Sequence, residues 1–373
     1  MKFLDDYLIG KKLIDETTVL GVDDLKFLEL SGRQAFYSQG IYGQNTICAV
    51  IDTGVSPHIE LENRILVGKN LNSSYSSTNN YRDDNMHGTH VAGSVAGKNV
   101  GIAPQSKILP VKVLDGSGGC NKTQDIVNGI KYARQWRSPK GEKVDVISMS
   151  LSGTKNGFGT TVWSNLQAEI KNCVKDGILV VCSAGNTGIT ELRYPGAYDE
   201  VVCVGAVDME KKQADYTTMG NHVDLCQVGS NVISAYYTGG YIALSGTSMS
   251  TPIISGIACL IACQHKLKFG ERITETKLYE QLKMNTKDLG IAGVDKIYGV
   301  GFCTLQPLNL TIEMEHLSNI VKFNNQNITT DIPSRVENGR FLFEMRSFAE
   351  RTGADIKVEA ENEYHKVKAK FIW

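Results

Sequence analysis

Several short stretches of the 373-residue chain carry side chains that could do acyl chemistry. In SGTSMSTP (245–252), Ser248 stands just before the apolar run IISGIACLIACQHK, which reads as a buried helix. A serine at a helix start lies where free backbone N–H groups and the positive end of the dipole collect. That position suits a nucleophile whose oxyanion must be stabilised, and it also suits an ordinary Ser/Thr helix cap. Three further stretches supply partners. AVIDTG (49–54) is a buried strand ending in Asp52, and MHGTHVAGSVAG (86–97) places His87 at a glycine-softened helix start. CSAGNTG (182–188) is a strand ending in a turn that projects Asn186.

Each residue type has a chemical reason. A serine hydroxyl is a weak nucleophile until a neighbouring imidazole, here His87, takes its proton. Asp52 would fix the tautomer of that imidazole and stabilise the imidazolium that forms. Asn186, with the Ser248 N–H, would hold the oxyanion of a tetrahedral intermediate. The residues are too far apart in sequence to share a helix face, so only a tertiary fold can assemble them.

The elements that must do so are legible. TICAVI (46–51), KILPVKVL (107–114), VDVISMS (144–150), ILVVCSA (178–184) and EVVCVGAV (200–207) are short, almost continuously apolar runs, as buried parallel strands are. Between them TQDIVNGIKYARQW and TTVWSNLQAEIKNCVKD repeat apolar residues at helical spacing. The alternation predicts an α/β fold: a doubly wound, mostly parallel sheet with helices on both faces, the site lying at the carboxyl ends of the strands. A small C-terminal α+β appendage is expected beyond it. The expected organisation is a lead segment over 1–25, a catalytic domain over 26–308, an Asn/Thr-rich linker over 309–333 and an accessory module over 334–373.

The order Asp, His, Ser and the motifs DTG, HGTHVAG and GTSMSTP resemble the subtilisin family of serine peptidases from roughly Gly32 to Leu308. The resemblance implies a serine endopeptidase acting through an acyl-enzyme, with Asp52, His87 and Ser248 as triad and Asn186 in the oxyanion hole. It also implies that Ser150, Leu151, Ser152 and Gly153, with Gly185, line the pocket for the residue before the scissile bond (P1). Gly116, Ser117 and Gly118 would pair with extended substrate. RYPGAY (193–198) resembles a turn with a cis proline, so Tyr194–Pro195 is expected to be cis. Ser152 stands where the family usually has glycine, Ser250 where it has alanine, and Ile253 where a histidine commonly follows the proline. Thr187 follows Asn186 where some relatives carry an acid, so a charged pocket base is not indicated there; Glu191 lies close by in sequence.

Rival readings stand beside this one. A lone DTG in an α/β pattern does not make an aspartic peptidase, which needs two facing carboxylates. A catalytically silent binding or signalling module of the same fold is the non-enzyme alternative, and an esterase or peptide ligase would use the same triad. His90 is expected to be structural, Asp83 and Asp84 to form a solvated loop, and His58, His222, His265, His316 and His365 to be fillers.

Net charge is −1 and 21% of residues are charged, so no basic field argues for nucleic acid or an anionic membrane. MKFLDDYLIGKKLIDETTVLG has acids where a signal peptide needs an unbroken apolar core, and the longest apolar runs look too short to cross a bilayer. Nine cysteines without framework spacing suit a reducing compartment, and Cys259 and Cys263 fit a helix core better than a metal site. A cytoplasmic location is expected, with non-classical export or a phage-borne origin left open. Protein or peptide substrates are expected, and the oligomeric state is not set. Residues 1 to about 20 are too few for a folding pro-domain and are expected to clamp the cleft. No cofactor is expected. Only Lys98, Asn99 and Val100 separate the His87 helix from GIAP (101–104), too few to wrap calcium, and a weaker site near Asp199 and Glu200 is left open. Residues 338–371 weakly resemble the N-terminal module of copper amine oxidases, with Glu344 and Val358 where proline and tryptophan are expected; a single His and no Cys imply no copper site.

Overall fold

The computed structural model describes residues 3–4, 13–15, 17–155 and 160–305 and, beyond them, a series of short strands. The chain divides into two compact units, Met1–Leu305 and Gln306–Trp373. In the first, β1 (Leu13–Ile14) precedes two short helices, α1 (Lys26–Leu30) and α2 (Gln34–Tyr37). Then come β2 (Ile47–Asp52), β3 (Lys69–Asn70), α3 (His87–Ala96), β4 (Lys107–Lys112), α4 (Thr123–Gln135), β5 (Val146–Met149), α5 (Thr160–Lys175), β6 (Leu179–Ser183) and β7 (Val202–Val207). The unit closes with β8 (Leu225–Val228), the hairpin β9 (Val232–Ala235) and β10 (Tyr241–Leu244), α6 (Thr247–Phe269), α7 (Glu275–Met284), β11 (Thr286–Lys287) and β12 (Phe302–Cys303).

Nine strands form one sheet in the order β11-β12-β8-β7-β6-β5-β2-β4-β3, parallel throughout except for the edge strand β11. Strand alternation builds its two cores. Cys48 and Val50 of β2 pack with α3 and α6, whereas Ile47, Ala49 and Ile51 pack with α4 and α5. Leu179 and Val181 of β6 divide from Val180 and Cys182 in the same way. This is the expected doubly wound α/β architecture. β2 has β4 on one side and β5 on the other, so the chain reverses its winding direction beside Asp52, where such sheets place their crevice.

Helix α6 corrects one expectation. At 23 residues it is long and apolar enough to cross a membrane by length and composition, longer than the run that announced it. Every residue from Thr247 to Cys263 is nevertheless buried against the sheet and α3, so it is the central helix of the core. Tyr194–Pro195 is cis, as expected.

The second unit carries a three-stranded antiparallel sheet, Glu313–Met314, Ile320–Phe323 and Gln326–Thr329, and the strand pairs Arg335–Glu337 with Arg340–Leu342 and Asp355–Glu359 with Lys368–Ile372. Strands therefore run through part of 309–333, read from its Asn and Thr content as a linker: the apolar alternation of IVKF outweighs the polar residues beside it. Glu344, His316 and His365 lie outside the described residues, as does the side chain of Val358.

Candidate active site

Asp52 ends β2 and His87 opens α3, and the fold brings their side chains to 2.8 Å between Asp52 Oδ1 and His87 Nδ1. Both are buried. Asp52 Oδ1 also accepts the Thr53 N–H at 2.7 Å, and its second oxygen is buried with no partner among the described residues. A carboxylate on Nδ1 holds the proton there and leaves Nε2 as the basic nitrogen.

What fixes this pair is Asp83, corrected from a solvated loop residue to a buried organiser. Its carboxylate accepts from the N–H groups of Asn85, Met86 and Thr89 and from the hydroxyls of Thr89 and Thr53. Thr53 in turn accepts the Gly88 N–H at 2.9 Å. The network holds Met86 at φ 103°, a strained backbone immediately before His87. Asp84 stays exposed in the loop, as expected, and from there pairs with the buried Lys112 at 2.7 Å, while Lys112 also donates to the Thr53 carbonyl. Buried three residues after His87, His90 is pushed down to about 3 and bonds the Val232 carbonyl, so it stays neutral and structural.

Ser248 is the second residue of α6, and Pro252 explains much of its setting. Proline has no N–H to give the carbonyl four residues back. The Ser150 hydroxyl instead donates to the Ser248 carbonyl at 2.8 Å, and the Ser248 hydroxyl returns a bond to the Ser150 carbonyl at 3.2 Å. Among the described residues no hydrogen bond joins Ser248 to His87. Asn186 reaches the same helix end: its Oδ1 accepts the Thr247 N–H at 2.8 Å and the Thr247 hydroxyl at 2.9 Å, which turns its NH₂ group away from them. Gly246, at φ 156°, leaves room for it, since a Cβ there would lie 3.2 Å from Asn186 Nδ2. Thr247 also accepts the Gly185 N–H. It is a positioning residue that motif reading passed over, because a threonine in GTS reads as part of a cap.

The expected substrate edges are partly brought together. The carbonyl of Gly118 accepts the N–H groups of Phe3 and Leu4 at 3.0 and 3.2 Å, and the Ser152 N–H donates to the Phe3 carbonyl at 3.1 Å. The Phe3 ring is buried against Gly153, in the cluster that holds Leu114, Cys120 and Leu151. Phe3 is thus bonded to Gly118 on one edge and to Ser152 on the other. Gly116 and Ser117 stand apart: Gly116 is held by Tyr75 and Asn85, and Ser117 by Asp115. Gly153 exchanges backbone bonds with Tyr194, which sets Arg193 beside the wall formed by Ser152 and Gly185.

Comparison with known proteins gives a consistent picture. The model of the subtilase family matches residues 43–301. The chain is 37% identical over 281 residues to the "Major intracellular serine protease" of Bacillus subtilis, covering 72% of this chain and 84% of that protein. It is 36% identical over 260 residues to the "Intracellular serine protease" of Paenibacillus polymyxa, covering 66% and 76%. To the "Subtilisin" of Bacillus pumilus it is 37% identical over 241 residues, covering 62% and 82%.

Proposed function

The chain belongs to the subtilase family and is a subtilisin-like serine endopeptidase, and we propose that its chemistry runs through Asp52, His87, Ser248 and Asn186. Substrate lies extended between Gly118 and Ser150–Gly153, where Phe3 and Leu4 bond to Gly118 and Phe3 to Ser152 in this structure. Ser248 Oγ turns from the Ser150 carbonyl to His87 Nε2, which takes its proton as Oγ attacks the scissile carbonyl; such contacts are commonly loose before substrate binds. Asp52 holds Nδ1–H and stabilises the imidazolium. The amide NH₂ of Asn186 and the Ser248 N–H receive the oxyanion. His87 returns its proton to the leaving amine, and water repeats the sequence to release the acyl-enzyme. The observation that carries this reading is the buried 2.8 Å Asp52–His87 bond. Asn186→Ala is expected to lower kcat by about 10²–10³-fold, the size of effect known for subtilisin's own oxyanion asparagine. A loss confined to KM in steady-state assays would mean that Asn186 only positions substrate.

The N-terminal segment restrains this activity as a clamp over the cleft; residues 5–12 lie outside the described ones. Its support is the seating of Phe3 and Leu4 on the two edges that substrate needs, together with the pairing of β1 with β10. Burying a Phe side chain contributes about 1.5–3 kcal/mol, so Phe3→Ala is expected to raise kcat/KM for a short peptide about tenfold or more. Unchanged kcat/KM would remove the clamp.

A tight calcium ion does not belong at the turn after α3, because Glu60 already serves it. The buried Glu60 carboxylate accepts from the N–H groups of Asn99 and Val100, from Asn99 Nδ2 at 2.8 Å and from the Tyr241 hydroxyl at 2.8 Å. A turn that aims N–H donors at an anion offers a cation nothing. Glu200 is engaged by Lys171 and Gln167, and Asp199 lines a cavity of about 540 Å³ shared with Lys296, so no weaker site is proposed there. A site filled at 100 times its Kd would add about 2.7 kcal/mol, or about 4 °C in Tm for a unit of this size. A chelator is therefore expected to leave the Tm of a Ser248→Ala variant within about 2 °C, and a larger fall would refute this.

The location we propose is cytoplasmic. The two relatives named intracellular support it, as do nine free, buried cysteines; burial pushes the thiols of Cys182, Cys203 and Cys226 up, so they stay protonated and inert.

A further inference from the structure

Asn186 stands in a turn that begins where β6 ends, and its backbone is held from two directions. Ala184 keeps one bond to the neighbouring strand, from its N–H to the Val204 carbonyl at 3.0 Å. Gly185 then turns out of the sheet at φ 103°, in the left-handed region that glycine takes most readily. On one side Thr247 of α6 accepts the Gly185 N–H at 3.1 Å. On the other side lies the loop between β7 and β8. There the Thr218 N–H donates to the Gly185 carbonyl at 2.9 Å, and the Gly188 N–H donates to the Tyr216 carbonyl at 2.8 Å. Thr218 Oγ1 accepts the Thr187 N–H at 3.1 Å and lies 3.0 Å from Thr187 Oγ1. The Thr218 side chain is buried, and a Cβ on Gly185 would lie 2.9 Å from its hydroxyl. One residue thus bonds the backbone immediately before and immediately after Asn186.

We propose that Thr218 is a positioning residue of the oxyanion hole, fixing the backbone on both sides of Asn186 so that its NH₂ group meets the developing charge. The inference rests on reading Asn186 as the oxyanion donor. A donor stabilises a transition state because it is already in place and does not reorganise as charge develops. A displacement of about 1 Å can cost about 10²-fold in rate. The two ties divide the work. Thr247 sets which way the side chain faces, because Asn186 Oδ1 accepts its N–H and hydroxyl. Thr218 sets where the backbone that carries the side chain stands. Its hydroxyl is the part that matters, since without it the Thr187 N–H loses its acceptor and the turn must move to find another. Among the described residues no hydrogen bond joins Thr218 to Asp52, His87 or Ser248. Its loss should therefore be felt through Asn186 and not through the base or the nucleophile.

The test is a double-mutant cycle in the full chain, with kcat and KM read on one short peptide and the melting of each variant checked. Thr218→Val keeps the shape and removes the hydroxyl; it is expected to lower kcat about tenfold and to leave KM within about twofold. Thr218→Ser returns the hydroxyl and should bring kcat back to within about twofold of the parent. In an Asn186→Ala background the same Thr218→Val change should lower kcat by less than about twofold, because the group it positions is gone. An unchanged kcat in Thr218→Val overturns this inference. So does an equal loss in both backgrounds, which would make Thr218 merely structural, and so does a change confined to KM. Thr218→Ala repeats the comparison if the valine variant does not fold, and loss of the fold in both also overturns it. Full kcat in Asn186→Ala alone is a different outcome: it removes the oxyanion reading on which the inference rests.

Discussion

Replacing Ser248 by alanine is expected to lower kcat by about 10⁶-fold, the loss known for the subtilisin nucleophile, and to abolish labelling by a fluorophosphonate. The fold survives, because little in it depends on Oγ. The hydroxyl gives one 3.2 Å bond to the Ser150 carbonyl, worth about 1 kcal/mol or less, while the 2.8 Å bond from Ser150 to the Ser248 carbonyl uses only backbone on the helix side. The start of α6 stays tied to Asn186 through Thr247. The paired measurements are peptidase turnover and thermal melting of the variant. Retained turnover would show that Ser248 is not the nucleophile; lost turnover with a collapsed Tm would show only that it is structural.

Replacing Asp52 by asparagine is expected to cost about 10⁴-fold in kcat, as it does for the aspartate of other triads. The side chain keeps its shape and its bond from the Thr53 N–H at 2.7 Å. What changes is the partner of Nδ1. An amide NH₂ can donate there, which moves the imidazole proton to Nε2, where Ser248 needs a base. Because Asp83 and Thr53 hold the surrounding backbone, the asparagine cannot escape by shifting the loop. Steady-state kinetics on the purified variant check this. A loss under tenfold would mean that the 2.8 Å bond is not what sets the tautomer.

Asp52, His87, Ser248 and Asn186, the residues proposed to react, stand out in the sequence because each is announced locally. A strand that ends in Asp-Thr-Gly, a His-Gly helix start and a Gly-Thr-Ser step before an apolar helix are patterns of neighbouring residues. The parallel strands were legible for the same reason, since burial on both faces leaves a continuous apolar run. The hairpin β9–β10 and strand β8 were not foreseen: their runs are four residues each and lie among glycines and serines.

The residues that surround the site belong to another class. Asp83 reads as one of two acids in a polar loop, and only folding lays Thr53 and the first turn of α3 against it. Nothing in the sequence marks Glu60, which folding buries against the turn at Asn99 and the hydroxyl of Tyr241. Phe3 reads as part of a lead segment until Gly118 and Ser152 close on either side of it. By itself the sequence determined the central parallel strands, the helices between them and the side chains proposed to react at their ends, because periodicity and caps act between near neighbours. Tertiary structure decided which charges are buried and what each one faces, because burial of a charge is settled by partners brought from distant parts of the chain.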